Sequence, residues 1–99
     1  MTGIRYTEDA VRDLEEIYRY IAEDNINAAI QHRQRLRQRC LGLVDYPRIG
    51  RKREEIRPGL RSVTEGDYVI LYRIVDNEVV VSRVIHGNQD LGKLSFPSE

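Results

Sequence analysis

Two runs of β-branched and aromatic residues near the end of the chain most constrain its fold, because only a short turn segment separates them. The runs read YVILYRIV and VVVSRVI, and Asp76-Asn77 lies between them. Such residues favour strands, and a two-residue turn of this type joins antiparallel strands in a hairpin. The pairs then expected to face each other are Ile74 with Val79, Tyr72 with Val81, and Ile70 with Arg83.

Further strands are predicted to extend this hairpin into a sheet. A strand at about 60–65 precedes the turn Glu65-Gly66-Asp67, and would pair with a strand at 67–75. The hairpin partner of that strand covers 79–86. A short segment, Gly3–Tyr6, is expected to add an edge strand.

The first half of the chain has helical periodicity instead. Ala10, Leu14, Ile17 and Ile21 recur at spacings of four, three and four, which marks one face of an amphipathic helix over about 8–23. Thr7 is expected to cap its N-terminus, because a threonine hydroxyl accepts the hydrogen bonds of free amides there.

A second helix is predicted to follow directly, capped by Asn25, so that the two helices form a hairpin. Proline at 47 ends it, because the residue before a proline avoids the helical region. Residues 47–58 are expected to form a polar basic loop, and the tail 93–99 to be loosely held. The expected inner face of the second helix comprises Ala29, Leu36, Cys40 and Leu43, with Val44 and Ile26 as further candidates.

These elements predict an α+β fold in the order β-α-α-β-β-β. The helical hairpin would pack on one face of a small, mostly antiparallel twisted sheet. At 99 residues, with 40% hydrophobic and 32% charged residues, the chain is expected to form one domain over 1–99.

The formal net charge is zero, but the charges are unevenly placed. Residues 7–24 hold seven acidic and two basic side chains, whereas 25–53 hold one acidic and eight basic ones. The basic region would meet an acidic protein, a nucleic acid or the acidic helix of its own chain. The single cysteine, Cys40, and the lack of a long apolar run favour a cytoplasmic protein without a membrane segment.

The residues that could carry chemistry are few. No phosphate-binding loop or nucleophile motif occurs, and His32, His86 and Cys40 lack the spacing of metal ligands, so no metal or cofactor is expected. Arginines and a lysine around the loop and on the strands, with a histidine, could supply part of an RNA-cleaving site. They are Arg51, Lys52, Arg53, Arg57, Arg61, Arg73, Arg83 and His86. The alternative is that the strand arginines pack their stems and extend their charges to solvent or to an acid.

Five segments in order along the chain resemble the ParE toxins of the RelE/ParE superfamily. They are AVRDLEEIYRYIAEDN (10–25), CLGLVDYPRIGRKR (40–53), EIRPGLRSV (55–63), GDYVILYRI (66–74) and RVIHGNQDL (83–91). The chain departs from many relatives at Asn88-Gln89, where arginines are common, and no tyrosine follows Tyr72. These departures argue against RNA cleavage.

The resemblance implies the toxin of a type II toxin–antitoxin pair, of the kind associated with plasmid stabilisation. It implies inhibition of DNA gyrase and neutralisation by a ParD-like antitoxin, with DNA contacted only through that antitoxin. One alternative is a RelE-type, ribosome-dependent endoribonuclease that uses Arg61, Arg83 and His86. A second is an inactive toxin fold that only binds its antitoxin.

Two sets of residues are therefore candidates for binding. Those for the target are Arg51, Lys52, Arg53, Arg61, Arg83 and His86. Those for the antitoxin are Leu14, Ile17, Tyr18, Ile21, Arg33, Leu36, Arg37 and Arg57. Alanine at Arg61 or Arg83 is expected to alter toxicity while leaving folding nearly intact.

Overall fold

The computed structural model describes residues 3–99, so residues 1–2 of the expected domain lie outside the described part. The helices are α1, Glu8–Asp24, and α2, Ile26–Asp45. The strands are β1, Gly3–Tyr6; β2, Arg51–Lys52; β3, Arg61–Glu65; β4, Tyr68–Val75; and β5, Glu78–His86, before a short 3₁₀ turn at Leu91–Lys93. The α+β prediction, with two helices on a mostly antiparallel sheet, is confirmed.

The sheet has the strand order β1-β5-β4-β3-β2. β1 is an edge strand, as expected, and pairs parallel to β5, while the other neighbours are antiparallel. β2 forms the opposite edge and falls inside the segment predicted to be a loop. Its two residues, Arg51 and Lys52, pair with Ser62 and Arg61. A strand this short has no alternation of side chains that the sequence could reveal.

The turn between β4 and β5 has the geometry that its residues favour. Asp76 and Asn77 have φ values of 51° and 62°, the left-handed conformation that both positions of a type I′ turn require. The register follows as predicted for two of the three pairs, Ile74 with Val79 and Tyr72 with Val81.

The third predicted pair is wrong, because a β-bulge interrupts the hairpin. Beyond Tyr72, the register shifts by one residue, so that Leu71 faces Arg83 and Ile70 faces Val84. Ser82 is the extra residue on β5. A bulge places two residues of one strand opposite one of the other, and therefore Val84 occupies the place predicted for Arg83.

Both helices begin where their capping residues predict. The Thr7 hydroxyl accepts a hydrogen bond from the Ala10 amide at 3.1 Å, and the Asn25 side chain accepts one from the Ala28 amide at 3.0 Å. The four predicted inner residues of α2 are buried. Ile26 is not part of that face: it is 62% exposed, because it is the first residue of the helix. No helix within residues 3–99 combines the length and the apolar character that crossing a membrane requires.

The core has two parts, one on each face of the sheet. The larger lies between the helices and the sheet and includes Ile17, Leu36 and Val81. The smaller lies on the opposite face, where Leu60, Val69, Leu71 and Ile85 are covered by Ile56, Leu91, Leu94 and Phe96. The last two belong to the tail, so a segment predicted to be loose closes the second face.

The tail is also held by polar contacts. The Glu99 side chain is only 4% exposed and lies 2.9 Å from Arg57 and 3.3 Å from Arg73. It accepts a hydrogen bond from the Ser82 hydroxyl at 2.6 Å. The Ser98 amide donates to Asp9 at 3.0 Å. The expectation of a loosely held tail is therefore wrong, because these partners are distant in sequence.

Candidate functional site

An apolar groove of about 420 Å³ opens where α1, α2 and the end of β1 meet. The helical spacing of Val11, Leu14 and Tyr18 places them side by side along α1. Val11 remains 44% exposed, although it is a large apolar side chain. The full lining is Tyr6, Val11, Leu14, Glu15, Tyr18, Arg19 and Arg33.

The α2 side of the groove is basic. The guanidinium of Arg33 stacks over the Tyr18 ring, with its central carbon 4.6 Å from the ring centroid. Such a cation–π contact fixes the position of both side chains. The groove therefore combines an apolar wall with a positioned positive charge.

The base of this region is a buried pair of weakly polar groups. Burial raises the pKa of the Tyr6 hydroxyl and the pKa of the Cys40 thiol. Both groups therefore stay protonated and uncharged at neutral pH. Cys40 is 1% exposed, so it packs in the core rather than acting as a nucleophile.

The structure brings together three of the eight residues predicted to bind an antitoxin. Leu14, Tyr18 and Arg33 line the groove, while Ile17 and Leu36 are buried in the core at 9% and 2% exposure. The others lie elsewhere: Ile21 packs partly buried on the core, Arg37 lines a separate depression on α2, and Arg57 lies with Glu99.

A second feature is the loop that joins α2 to β2. Tyr72, which is 0% exposed, points its hydroxyl at this loop. The hydroxyl donates to the Pro47 carbonyl at 2.8 Å and accepts from the Gly50 amide at 2.9 Å. Burial raises the pKa of Tyr72, which keeps the proton needed for the donated bond. The hydroxyl thus ties both ends of residues 47–50 to the sheet.

Only glycine fits at position 50. A Cβ atom there would overlap the Tyr72 hydroxyl and lie 2.7 Å from Cε1 and 2.9 Å from Cζ of the same ring. Because the ring is enclosed by the core, it cannot move aside freely. The loop therefore packs directly on the tyrosine.

Arg61 holds the same loop from β3. Its Nη1 donates to the Arg48 carbonyl at 3.0 Å and to the Gly50 carbonyl at 2.9 Å. Loop carbonyls are thus satisfied by a charged donor. Arg61, a predicted target-binding residue, is a structural support of the loop in this conformation.

The predicted basic residues divide into paired and unpaired groups. Arg53 pairs with Glu55 at 2.8 Å, and Arg57 with Glu99. Arg48, Arg51 and Lys52 are exposed, and no carboxylate within residues 3–99 forms an ion pair with them. Arg61 on β3 has no carboxylate partner in this range either, but its guanidinium is bonded to the loop carbonyls.

Arg83 is bound to α1. Its Nε and Nη2 donate to the two carboxylate oxygens of Asp13 at 2.7 and 2.9 Å, and its Nη1 donates to the Ser95 carbonyl at 2.8 Å. The hydrogen bonds to Asp13 raise the pKa of Arg83. Asp13 also accepts the Val84 amide at 3.0 Å. This two-bond pair joins α1, β5 and the tail.

His86 lies at the end of β5 beside a shallow pocket of about 290 Å³. Its Nδ1 accepts a hydrogen bond from the Asn88 amide at 3.2 Å. Its ring meets Tyr68 edge to face at 5.2 Å, and Tyr68 meets His32 at 5.0 Å. Within residues 3–99, no three His, Cys, Asp or Glu side chains come together as metal ligands.

Comparison with known proteins identifies the family. The profile described as "ParE toxin of type II toxin-antitoxin system, parDE" matches residues 4–91. The chain belongs to the ParE toxin family. It is similar to Toxin ParE3 of Caulobacter vibrioides, with 32% identity over 80 residues covering 80% of each chain. It is also similar to Toxin ParE1 of Mycobacterium tuberculosis, with 32% identity over 69% of this chain and 70% of that one.

Solved structures have the same fold as this ParE-family toxin. A chain from the chromosomal ParDE system of P. aeruginosa aligns with a TM-score of 0.74 and 24% identity, covering 87% of this chain and 96% of that one. A chain from the toxin–antitoxin complex RelBE2 of Mycobacterium tuberculosis aligns with a TM-score of 0.55 and 31% identity, covering 86% and 96%.

In this ParE-family chain, the three residues considered for RNA cleavage do not converge. Arg61 lies on β3 and Arg83 on β5, with β4 between them, so their backbones are about 10 Å apart across the sheet. The guanidinium of Arg61 binds loop carbonyls, whereas that of Arg83 binds Asp13. His86 lies opposite Tyr68, at the start of β4, whereas Arg61 lies opposite Tyr72, in the middle of that strand.

Sequence reasoning missed three features of this ParE-family toxin. Val11 was assigned to the helix but not to a binding surface, although its place beside Leu14 and Tyr18 is a helical neighbour relation. Ile49 lies in the predicted loop 47–58 and Tyr46 directly precedes it, and neither was predicted to bind a partner, yet they are 60% and 68% exposed. Two large apolar residues at the start of a basic loop are a signal that the sequence offers.

Proposed function

We propose that this toxin is neutralised by a ParD-like antitoxin and that it inhibits DNA gyrase by binding. The observation that carries the first part is the exposed apolar groove along α1. We expect the toxin to act in the cytoplasm and to meet DNA only through its antitoxin. Membership of the ParE family and the lone buried Cys40 support that location.

The groove suits an amphipathic helix of the antitoxin. Such a helix binds by laying its apolar side chains into a hydrophobic groove. Val11, Leu14 and Tyr18 offer the apolar wall, and Arg33 would attract an acidic residue at the rim. The fold matches in P. aeruginosa and M. tuberculosis come from a ParDE system and a RelBE2 complex, which supports an antitoxin partner here.

Inhibition by binding is favoured over RNA cleavage by the placement of Arg61, Arg83 and His86. General acid–base cleavage needs its acid, base and cations within reach of one phosphate. The two guanidinium groups are instead bonded to separate parts of the chain. The 31% identity to a RelBE2 chain keeps the ribonuclease as the second candidate.

The target is tested with purified toxin in two parallel assays. We expect inhibition of gyrase supercoiling of a relaxed plasmid, with ribosome-bound mRNA left intact. Cleaved mRNA together with unaffected gyrase would replace the proposal by the ribonuclease. A chain that changes neither assay but binds its antitoxin would be the inactive form.

The groove is tested with Val11→Asp. A carboxylate at this position would be placed against an apolar helix face, so we expect the affinity for a purified ParD-like antitoxin to fall at least about tenfold, or about 1.4 kcal/mol. Calorimetric titration gives the affinity.

Leu41→Asp is the matched control for Val11→Asp. Leu41 is 41% exposed against 44% for Val11, but it lies outside the groove on α2. Both variants should melt near the wild-type temperature. If the two variants bind the antitoxin with equal affinity, the groove is not part of the interface.

A further inference from the structure

The loop 46–52, which we call the presenting loop, exposes two large apolar side chains together. Tyr46 is 68% and Ile49 60% exposed. The Ile49 amide donates to the Tyr46 carbonyl at 3.1 Å, which turns the chain so that both residues face one shallow depression of about 430 Å³. Exposed apolar residues placed together in this way mark interaction surfaces.

The backbone of the presenting loop is held by groups from the sheet. The Tyr72 hydroxyl bonds at Pro47 and Gly50, the Arg61 guanidinium bonds at Arg48 and Gly50, and Gly50 packs on the Tyr72 ring. Immobilising a loop costs conformational entropy. Here it fixes side chains that point to solvent, and a surface fixed in advance binds a partner with a smaller entropic cost.

The charges of the presenting loop have no partners within residues 3–99. Arg48, Arg51 and Lys52 are exposed and form no ion pair with a carboxylate of that range. Glu55 feels the charge of Arg51 but pairs with Arg53, at 2.8 Å. Arg48 lines the depression together with Asp45, and Arg51 and Lys52 follow in the chain, so cations outnumber carboxylates beside the apolar pair. Such a surface complements an acidic surface that has an apolar centre of its own.

We infer that the presenting loop is the surface by which the toxin contacts its target, and that it recognises an acidic, partly apolar patch on a protein. This inference rests on the proposed inhibition of a target by binding. Tyrosine and arginine are the residues that most often carry binding energy between proteins.

A protein partner fits this surface better than the phosphate backbone of a nucleic acid. Backbone binding depends on many basic contacts, whereas the presenting loop carries three exposed cations and two large exposed apolar side chains. The antitoxin groove is a separate surface, because it adjoins β1 and the presenting loop runs into β2, at the opposite edge of the sheet.

Two variants test the presenting loop. One replaces the apolar pair, Tyr46→Ser with Ile49→Ser, and the other reverses the charges, Arg48→Glu with Arg51→Glu and Lys52→Glu. The matched controls are Ile26→Ser, at 62% exposure, and Arg35→Glu with Lys93→Glu, at exposed positions outside both candidate surfaces. Measurements are inhibition of gyrase supercoiling, growth arrest on induction, antitoxin affinity and melting temperature.

We expect both loop variants to need at least about tenfold more protein for half-inhibition, while their antitoxin affinity stays within about twofold of wild type. The controls should inhibit like wild type. Unchanged inhibition by folded loop variants overturns the inference, as does a loss of antitoxin binding equal to the loss of inhibition.

The same measurements distinguish a wrong target from a wrong binding surface. If wild-type toxin arrests growth without affecting gyrase, the gyrase proposal fails, and relief of arrest by the loop variants still supports the presenting loop. Toxin that neither arrests growth nor inhibits gyrase overturns both. Salt-sensitive binding to a DNA duplex, lost on charge reversal while the apolar variant keeps full inhibition, would assign the surface to nucleic acid instead.

Discussion

At the scale of single residues, the side chains that decide the shape of the candidate sites reach across the fold. Tyr72 was predicted as a strand residue opposite Val81, and that pairing is confirmed. Its hydrogen bonds to Pro47 and Gly50 were not predictable, because they depend on where a loop more than twenty residues away returns. Periodicity predicts which face of an element a side chain lies on, but it does not predict the side chain's hydrogen-bond partners.

His32 predicts a dependence of stability on pH. Its pKa is lowered, chiefly by burial and then by Arg35, while Glu65 and Asp67 oppose the shift. Its Nδ1 is buried and has no hydrogen-bond partner among residues 3–99. The folded chain therefore binds a proton less readily than the unfolded chain, whose histidine pKa is about 6.5. The stability that depends on neutral His32 is present above about pH 6.5 and is lost as the pH falls through that value.

The variant His32→Phe keeps a ring against Tyr68 but cannot take up a proton. Between about pH 7.5 and pH 5.5, its melting temperature should fall less than that of wild type, since carboxylates titrate alike in both proteins. The measurement is thermal unfolding followed by circular dichroism. Parallel pH profiles would mean that His32 is not destabilised by protonation.

At the scale of elements, α1 protects the edge of β5 that β1 leaves uncovered. The pairing of β1 with β5 ends at Val81. Beyond it, the Thr7 hydroxyl donates to the Ser82 carbonyl at 2.9 Å, and Asp13 accepts the Val84 amide. Unpaired strand edges attract other chains. The N-terminal half of α1 and its cap therefore cover the edge of β5, and the same helix forms one wall of the groove.

The variant Arg83→Ala tests the link between α1 and β5. The side chains of Arg83 and Asp13 are 18% and 12% exposed, so removal of the guanidinium leaves a mostly buried carboxylate without its cation. We expect the free energy of unfolding to fall by about 1–3 kcal/mol. This replaces the expectation from sequence that folding would be nearly intact. Urea unfolding measures the change.

The control for Arg83→Ala is Arg35→Ala, which removes an exposed arginine of α2 that forms no ion pair within residues 3–99. A double-mutant cycle with Asp13→Ala isolates the pair, because residues in contact have non-additive effects. Additive losses would show that Arg83 stabilises through Ser95 or through packing alone.

Helices, caps and the β4–β5 turn were predictable because each has a local cause. A capping hydroxyl, a helical spacing and two residues that tolerate positive φ all act within a few positions. β2 and the bulge at Ser82 were not, since both depend on the partner strand. The same distinction applies to the candidate sites: Leu14 and Tyr18 follow from helical spacing, whereas the partners of Arg61 and Arg83 depend on tertiary contacts.

At the scale of the whole molecule, the chain covers both faces of its sheet. The helices cover one face, and the segment from Leu91 to Phe96 covers the other. Glu99 lies among Ser82, Arg57 and Arg73, which come from three different parts of the chain. The tail 93–99 reads KLSFPSE and contains two large apolar residues, Leu94 and Phe96, too weak a signal to predict this docking.

The variant Glu99→Gln should loosen the tail. Removing the carboxylate leaves Arg57 and Arg73 facing each other without a counter-charge, so we expect faster hydrogen–deuterium exchange at the Ser98 amide and a lower melting temperature. Glu23→Gln, at an exposed position on α1, is the control. An unchanged exchange rate at Ser98 would mean that apolar contacts alone hold the tail.

The parallel pairing of β1 with β5 has a consequence for synthesis on the ribosome. Thr7 and Ser82, which are hydrogen-bonded just beyond this pairing, are 75 residues apart. β1 therefore cannot pair until β5 has been translated. Until then, the helical hairpin has no sheet on which to bury its apolar faces. Domains of this kind fold only after their distant contacts become available. The nascent toxin therefore lacks its complete native sheet until the ribosome has made β5.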